Sequence, residues 1–155
     1  METIDFMREA IRLSDENVKN GGGPFGAVIV KNGEIIATGV NRVTANNDPT
    51  AHAEVSAIRA AGQKLGTFDL SGCDIYTSCE PCPMCLGAIY WAHLDRMYYA
   101  CNKDDAADAG FDDSFIYKEL DLEASERRLK SENILRSEAL KTFEAWKEKG
   151  DKVEY

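Results

Sequence analysis

At 155 residues, 44% hydrophobic and 29% charged, the chain has the size and balance of one soluble domain and is too short for two full cores. No window approaches the roughly 18 uninterrupted apolar residues of a membrane span, and the acidic opening Glu2-Thr3-Ile4-Asp5 is unlike a secretory signal, so the expectation is a cytoplasmic protein with no membrane partner. A net charge of -9 repels phosphate backbones and argues against a nucleic-acid partner.

The first element is an amphipathic helix over residues 3 to 19. Ile4, Met7, Ile11 and Val18 recur at near-helical spacing, with Phe6, Ala10 and Leu13 widening the stripe. Gly21-Gly22-Gly23-Pro24 ends it. Two β-rich runs follow, Phe25 to Val30 and Glu34 to Val40, joined through Lys31-Asn32-Gly33; Asn-Gly is the strongest two-residue hairpin signal. A polar loop, Asn41 to Thr50, leads to a helix from His52 to about Leu65. Cys73 to Ser78 reads as a buried strand, Pro83 to about Ala92 as a helix with proline in its first turn, and Arg96 to Ala100 as a further strand. Past residue 104 come an acidic loop, an irregular stretch and a polar helix over about Ser137 to Lys149. There is no internal repeat. A hairpin followed by alternating helix and strand predicts an α/β fold, with a mixed sheet covered on both faces.

The chemistry is concentrated in two segments, His52-Ala53-Glu54 and Glu80-Pro81-Cys82-Pro83-Met84-Cys85. Together they match H-x-E…P-C-x-x-C, a recognised signature of zinc nucleobase deaminases. Zinc accepts imidazole nitrogen and thiolate sulfur, and three protein ligands leave a fourth tetrahedral position for water. Cys82 and Cys85 lie one turn apart at a helix start, where the positive helix end favours thiolates. His52 supplies the third ligand from another helix. Glu54 is aimed differently from the ligand beside it and can carry the water's proton to a ring nitrogen. Five cysteines, an odd number with three between Cys79 and Cys85, suit a metal better than a disulfide framework. The rival reading is a closed structural site in which Cys79 is a fourth ligand, but it leaves Glu54 without a purpose.

Pro24-Phe25-Gly26-Ala27-Val28, Asn41, Asn47 to Glu54 and Thr77 to Cys85 resemble the cytidine-deaminase-like superfamily, over about residues 4 to 117. Ala88-Ile89-Tyr90-Trp91-Ala92, Ala109 to Tyr117 and the ending Glu154-Tyr155 resemble the short bacterial guanine deaminases within it. The resemblance implies a three-layer αβα sandwich around a mixed, largely parallel five-stranded sheet. It implies a single domain over 1-155, its helix and tail 137-155 exchanged between the subunits of a homodimer. It implies hydrolysis of guanine to xanthine and ammonia with Zn2+, held by His52, Cys82 and Cys85, and Glu54 as proton carrier. Asp113 would contact the base and help move protons, Phe25 would line the pocket, Asn41 would hydrogen-bond the purine, and Trp91 and Tyr155 would contact the substrate.

Each of these has a plainer alternative in the residues themselves. Phe25 reads equally as a core aromatic, Asn41 as a loop residue bonding its own backbone, and Asp112-Asp113 as a solvated turn. Trp91 reads as packing, and Tyr155 as an ordinary chain end. His93 reads as structural, and Cys73 and Cys101 as small buried hydrophobes. Rival functions are a deaminase of another small base (cytosine, a related purine or a triazine), a transfer-RNA adenosine deaminase, and a zinc-stabilised binding module.

Overall fold

A computed structural model describes residues 2-155. The first helix, α1 (Thr3–Lys19), begins where the Asp5 carboxylate accepts from the Glu2 backbone N–H at 3.0 Å. It buries Phe6, Ala10 and Asn17. Ile4, Ile11 and Val18 stay exposed, so the expected stripe is rotated. The reason is the fit of the helix to the sheet. A Cβ at Gly26 would lie 2.5 Å from the Ala10 carbonyl oxygen, so the glycine lets the helix backbone come down on β1 along the Ala10 side.

β1 (Gly26–Lys31) and β2 (Glu34–Val40) form the expected antiparallel hairpin. Asn32 and Gly33 both take positive φ, 51° and 76°, as a tight turn matched to the strand twist requires. The short helix α2 (Val43–Asn46) and then α3 (Ala53–Leu65) follow. β3 (Cys73–Cys79), α4 (Pro83–Trp91) and β4 (Arg96–Cys101) complete the sheet.

The sheet has four strands in the order β2-β1-β3-β4, which corrects the expectation of five largely parallel ones. β1 is antiparallel to both β2 and β3, and only β3 and β4 are parallel. The hairpin inserts β1 between β2 and β3, so α3 connects two like-directed strands that do not touch. After β4 the chain turns helical at once. Asn102 Oδ1 accepts from Asp105 N–H at 3.0 Å while the Asp105 carboxylate accepts from Asn102 N–H at 2.9 Å. This reciprocal cap opens α5 (Lys103–Asp108) immediately behind β4.

The strand period of two sorts the core into two layers. Ala27 and Ile29 of β1 and Cys73 and Ile75 of β3 face Ala53, Ala57 and Ala61 of α3 and Ile89 of α4. Val28, Val30 and Tyr76 face Phe6 and Ala10 of α1. The expected helix-sheet-helix layering is therefore present. No helix among the described residues is long and apolar enough to cross a membrane.

The chain divides into a compact unit ending at Ser114 and a second, Phe115–Tyr155. The second contains most of α6 (Ser114–Leu120), a single 3-10 turn and α7 (Arg136–Glu148), the last close to the expected polar helix. No residue from 115 to 155 is buried.

Candidate active site

Asp48 opens the approach to the site. Its Oδ1 accepts from the Thr50 backbone and hydroxyl at 2.9 and 2.7 Å, and the turn delivers the extended residue His52 as N-cap of α3. Two residues on, Glu54 lies in the first turn of α3 and is only 5% exposed. Across the fold, β3 ends at Cys79 and the turn after it is pinned. Glu80 N–H donates to the Cys101 carbonyl at 2.8 Å, and Glu80 Oε1 accepts from Lys103 N–H at 3.0 Å. Cys82 then caps α4, with Pro83 at its first position and Cys85 in its first turn.

These elements bring three ligand residues together. His52 Nδ1 lies 3.5 Å from Cys82 Sγ and 3.4 Å from Cys85 Sγ, and all three donor atoms fall within 4.8 Å of one another. A tetrahedral zinc with bonds of about 2.3 Å to sulfur and about 2.0 Å to nitrogen needs nitrogen-sulfur edges of roughly 3.5 Å. The spacing and the donor types both fit that ion. Cys79 is not in the cluster. Its Sγ donates to the Asn102 carbonyl at 3.6 Å, and burial pushes its thiol up to about 12. The closed four-ligand alternative is therefore not what the geometry supports.

The helix end does not ionise both sulfurs unaided. Hydrogen bonding from Cys85, and then from His52, pulls the Cys82 thiol well below the usual range, against the cost of its burial. The same partnership with Cys82, and burial, drive Cys85 far above it. The two sulfurs thus push one another in opposite directions, and a divalent cation held between them would favour the thiolate form of both. His52 is held up chiefly by its hydrogen bond to Cys82. Burial lifts Glu54 to about 6, in the range where a carboxylate both takes and returns protons.

Asp113 separates from its neighbour. Asp112 makes a surface turn, its Oδ1 accepting from Ser114 N–H at 2.9 Å. Asp113 Oδ1 is buried without a hydrogen-bond partner, and burial followed by the charge of Cys82 raises its carboxyl above the usual range. A buried acceptor with no donor is uncommon. Phe25 packs against the core and meets Phe111 edge-on, with centroids 5.0 Å apart and planes at 85°. Phe111 was not singled out in the sequence; its place two residues before Asp113 is the only signal there. Asn41 Oδ1 accepts from Val43 N–H at 3.2 Å, which is the backbone-bonding reading, at least for its oxygen. Trp91 is 66% exposed at the end of α4. It lies six residues beyond Cys85, about 9 Å further along the helix, and is not gathered into the ligand cluster. Tyr155 is exposed in the second unit.

The model of the cytidine and deoxycytidylate deaminase zinc-binding region matches residues 1–101, a span that includes all three ligand residues and Glu54. The chain belongs to this deaminase family. Within the family it is 57% identical over 151 residues to the guanine deaminase of Bacillus subtilis (strain 168), covering 97% of each chain. The X-ray structure of the Bacillus subtilis guanine deaminase superposes with a TM-score of 0.97 at 56% identity, covering 100% of this chain and 99% of that one. A tRNA-specific adenosine deaminase of Aquifex aeolicus is 40% identical over 95 residues, 61% of this chain and 63% of that protein. The family binds zinc, and His52, Cys82 and Cys85 are the residues placed to hold that ion.

Proposed function

We propose that this deaminase-family protein hydrolyses guanine to xanthine and ammonia. The observation that carries the reaction type is the His52-Cys82-Cys85 cluster with the buried Glu54 beside it. What supports guanine as the base is 57% identity to a guanine deaminase over 97% of both chains, against 32% identity to a tRNA-specific adenosine deaminase of Buchnera aphidicola over 88% of this one. The net charge of -9 further disfavours a transfer-RNA substrate.

Held by His52, Cys82 and Cys85, zinc would supply the Lewis acidity that makes water a nucleophile near neutral pH. Glu54 accepts that water's proton as the new C–O bond forms and gives it to the ring nitrogen beside the amino-bearing carbon. It then carries the proton remaining on the newly added O–H to the amine as the C–N bond breaks, so that guanine and water become xanthine and ammonia. Burial keeps Glu54 ready for both directions of transfer. Asp113 offers its unpartnered Oδ1 to an N–H of the base and eases proton movement towards the leaving amine. Phe25 lines the pocket, Asn41 hydrogen-bonds the purine, and Trp91 and Tyr155 complete its cover.

The tail is the means by which Tyr155 would serve. α7 buries none of its residues, although Leu140, Phe143 and Trp146 lie along it and are exposed. Our reading is a homodimer in which each chain's 137-155 segment closes the other's pocket. The test of the function is ammonia release by the purified protein from guanine, guanosine, cytosine, cytidine, adenine and transfer RNA. Guanine should be turned over far faster than the rest. Efficient deamination of transfer-RNA adenosine, with guanine inert, would overturn the reading.

A further inference from the structure

Asn17 lies in the last turn of α1, 8% exposed, on the line of Phe6 and Ala10. Packing alone would place an apolar side chain there. Its Nδ2 instead donates to the Gly23 carbonyl at 2.8 Å and to the Asn41 carbonyl at 2.9 Å, while the backbone carbonyl of the same residue accepts from Gly22 N–H at 2.8 Å. Gly23 O also accepts from Phe25 N–H at 2.9 Å, and Asn41 N–H donates to Phe25 O at 3.3 Å. One buried amide thus ties the segment before β1 to the segment after β2. Its two bonds end on Asn41 and on Gly23, two residues before Phe25.

The glycines of the loop are fitted around that amide. A Cβ at Gly22 would lie 2.4 Å from Asn17 Nδ2, and one at Gly23 would lie 3.2 Å from Asn41 Cγ. Asn17, Gly22, Asn41 and Arg42 also line a cavity of about 400 Å3, so packing does not brace that side of the loop. The hydrogen bonds hold it.

We infer that Asn17 is a positioning residue for base recognition, acting through the placement of Phe25 and Asn41. This rests on the guanine reading above. The competing role is a stitch at a helix end, which would alter stability and leave substrate affinity alone.

The experiment compares the zinc-loaded enzyme with Asn17→Ala, Gly22→Ala, their double variant and Ala10→Gly, which weakens the same helix without touching the amide. Readouts are zinc content, melting temperature, and kcat and KM for guanine. KM should rise about tenfold in Asn17→Ala and Gly22→Ala, the scale of one to two neutral hydrogen bonds. Zinc content should be unchanged and kcat should stay within about threefold, since the reacting groups are not on these loops. The double variant should be no worse than the poorer single one, because both break the same contact. Ala10→Gly should keep the wild-type KM. A wild-type KM in Asn17→Ala overturns the inference. If that variant does not fold, an unchanged KM in Gly22→Ala overturns it instead. Should the wild-type protein deaminate a different base, the functional reading falls, and the same KM comparison with that base still decides the role of Asn17.

Discussion

Replacing Gly39 with alanine should unseat the helix that carries His52 and Glu54 at its start. Gly39 lies in β2 directly under α3. A Cβ there would be 2.2 Å from the Ala53 carbonyl oxygen and 2.5 Å from the Ala57 nitrogen. Both are backbone atoms, so no side chain can rotate away. Ordinary contact begins at 3.4 Å, and α3 would have to retreat by roughly 1 Å, opening the layer that Ala53, Ala57 and Ala61 make with Ala27, Ile29 and Ala37. Overpacking of that kind costs about 2-4 kcal/mol, which in a chain of this length lowers the melting temperature by roughly 5-15 °C. His52 and Glu54 move with the helix start, and a 1 Å misplacement costs on the order of 10²-fold in turnover. The sign is diagnostic. Gly39 has an ordinary backbone conformation, and at such a site glycine to alanine normally stabilises by about 0.4-1 kcal/mol. Calorimetry and steady-state ammonia release measure both quantities. A variant as stable as the parent, with undiminished kcat, would refute the close packing of α3 on β2 and its consequence for the site.

Metal analysis should find about one zinc per chain, lost in Cys82→Ser and Cys85→Ser and retained in Cys79→Ser; equal loss in the Cys79 variant would restore the closed structural site. Glu54→Gln should keep its zinc and fold while turnover drops by about 10²- to 10⁴-fold, and near-parental activity would assign the proton to another group. Asp113→Asn should lower turnover of guanine at unchanged zinc content, and unaltered kinetics would return Asp113 to a purely structural turn. Two inactive proteins, Glu54→Ala with its tail intact and a chain lacking residues 138-155 with its zinc site intact, should regain activity when co-expressed, up to about half of the sites in each hybrid. Hybrids that form and stay inactive would exclude exchange of the tail.

Residues whose chemistry is dictated by type were legible in the sequence. His52, Glu54, Cys82 and Cys85 could be picked out because few side chains bind zinc or move its proton, and the structure gathers the three ligands around one point. The hairpin was legible because Asn32 and Gly33 are the residues that a doubly positive-φ turn demands. Strand order was not. Nothing local in β1 says that it will lie between β2 and β3, and nothing in the sequence limits the sheet to four strands. The buried side of α1 was legible in part: Phe6 and Ala10 are buried and Met7 and Leu13 pack beside them, as expected, but the rest of the stripe is not covered. Ile4, Ile11 and Val18 are more hydrophobic than Ala10 and Asn17, yet closeness of approach to Gly26, not hydrophobicity, chose the face. Asn17 itself was invisible, since an asparagine near a helix end ordinarily signals solvent.

His52 and Cys82 are 30 positions apart in the chain, on the starts of two helices that follow different strands. An ion gripped by both is a cross-link as well as a reagent. Closing a loop of that length removes freedom from the unfolded polymer worth about 3-4 kcal/mol by the same statistics that govern disulfides. Chelation would therefore do more than stop turnover: it would lengthen the chain's effective tether and lower the temperature at which the β2-α3 and β3-α4 crossovers part. Such an ion would do for this chain what a disulfide does for a small secreted domain, with two sulfurs and a nitrogen meeting at one centre in place of a sulfur–sulfur bond.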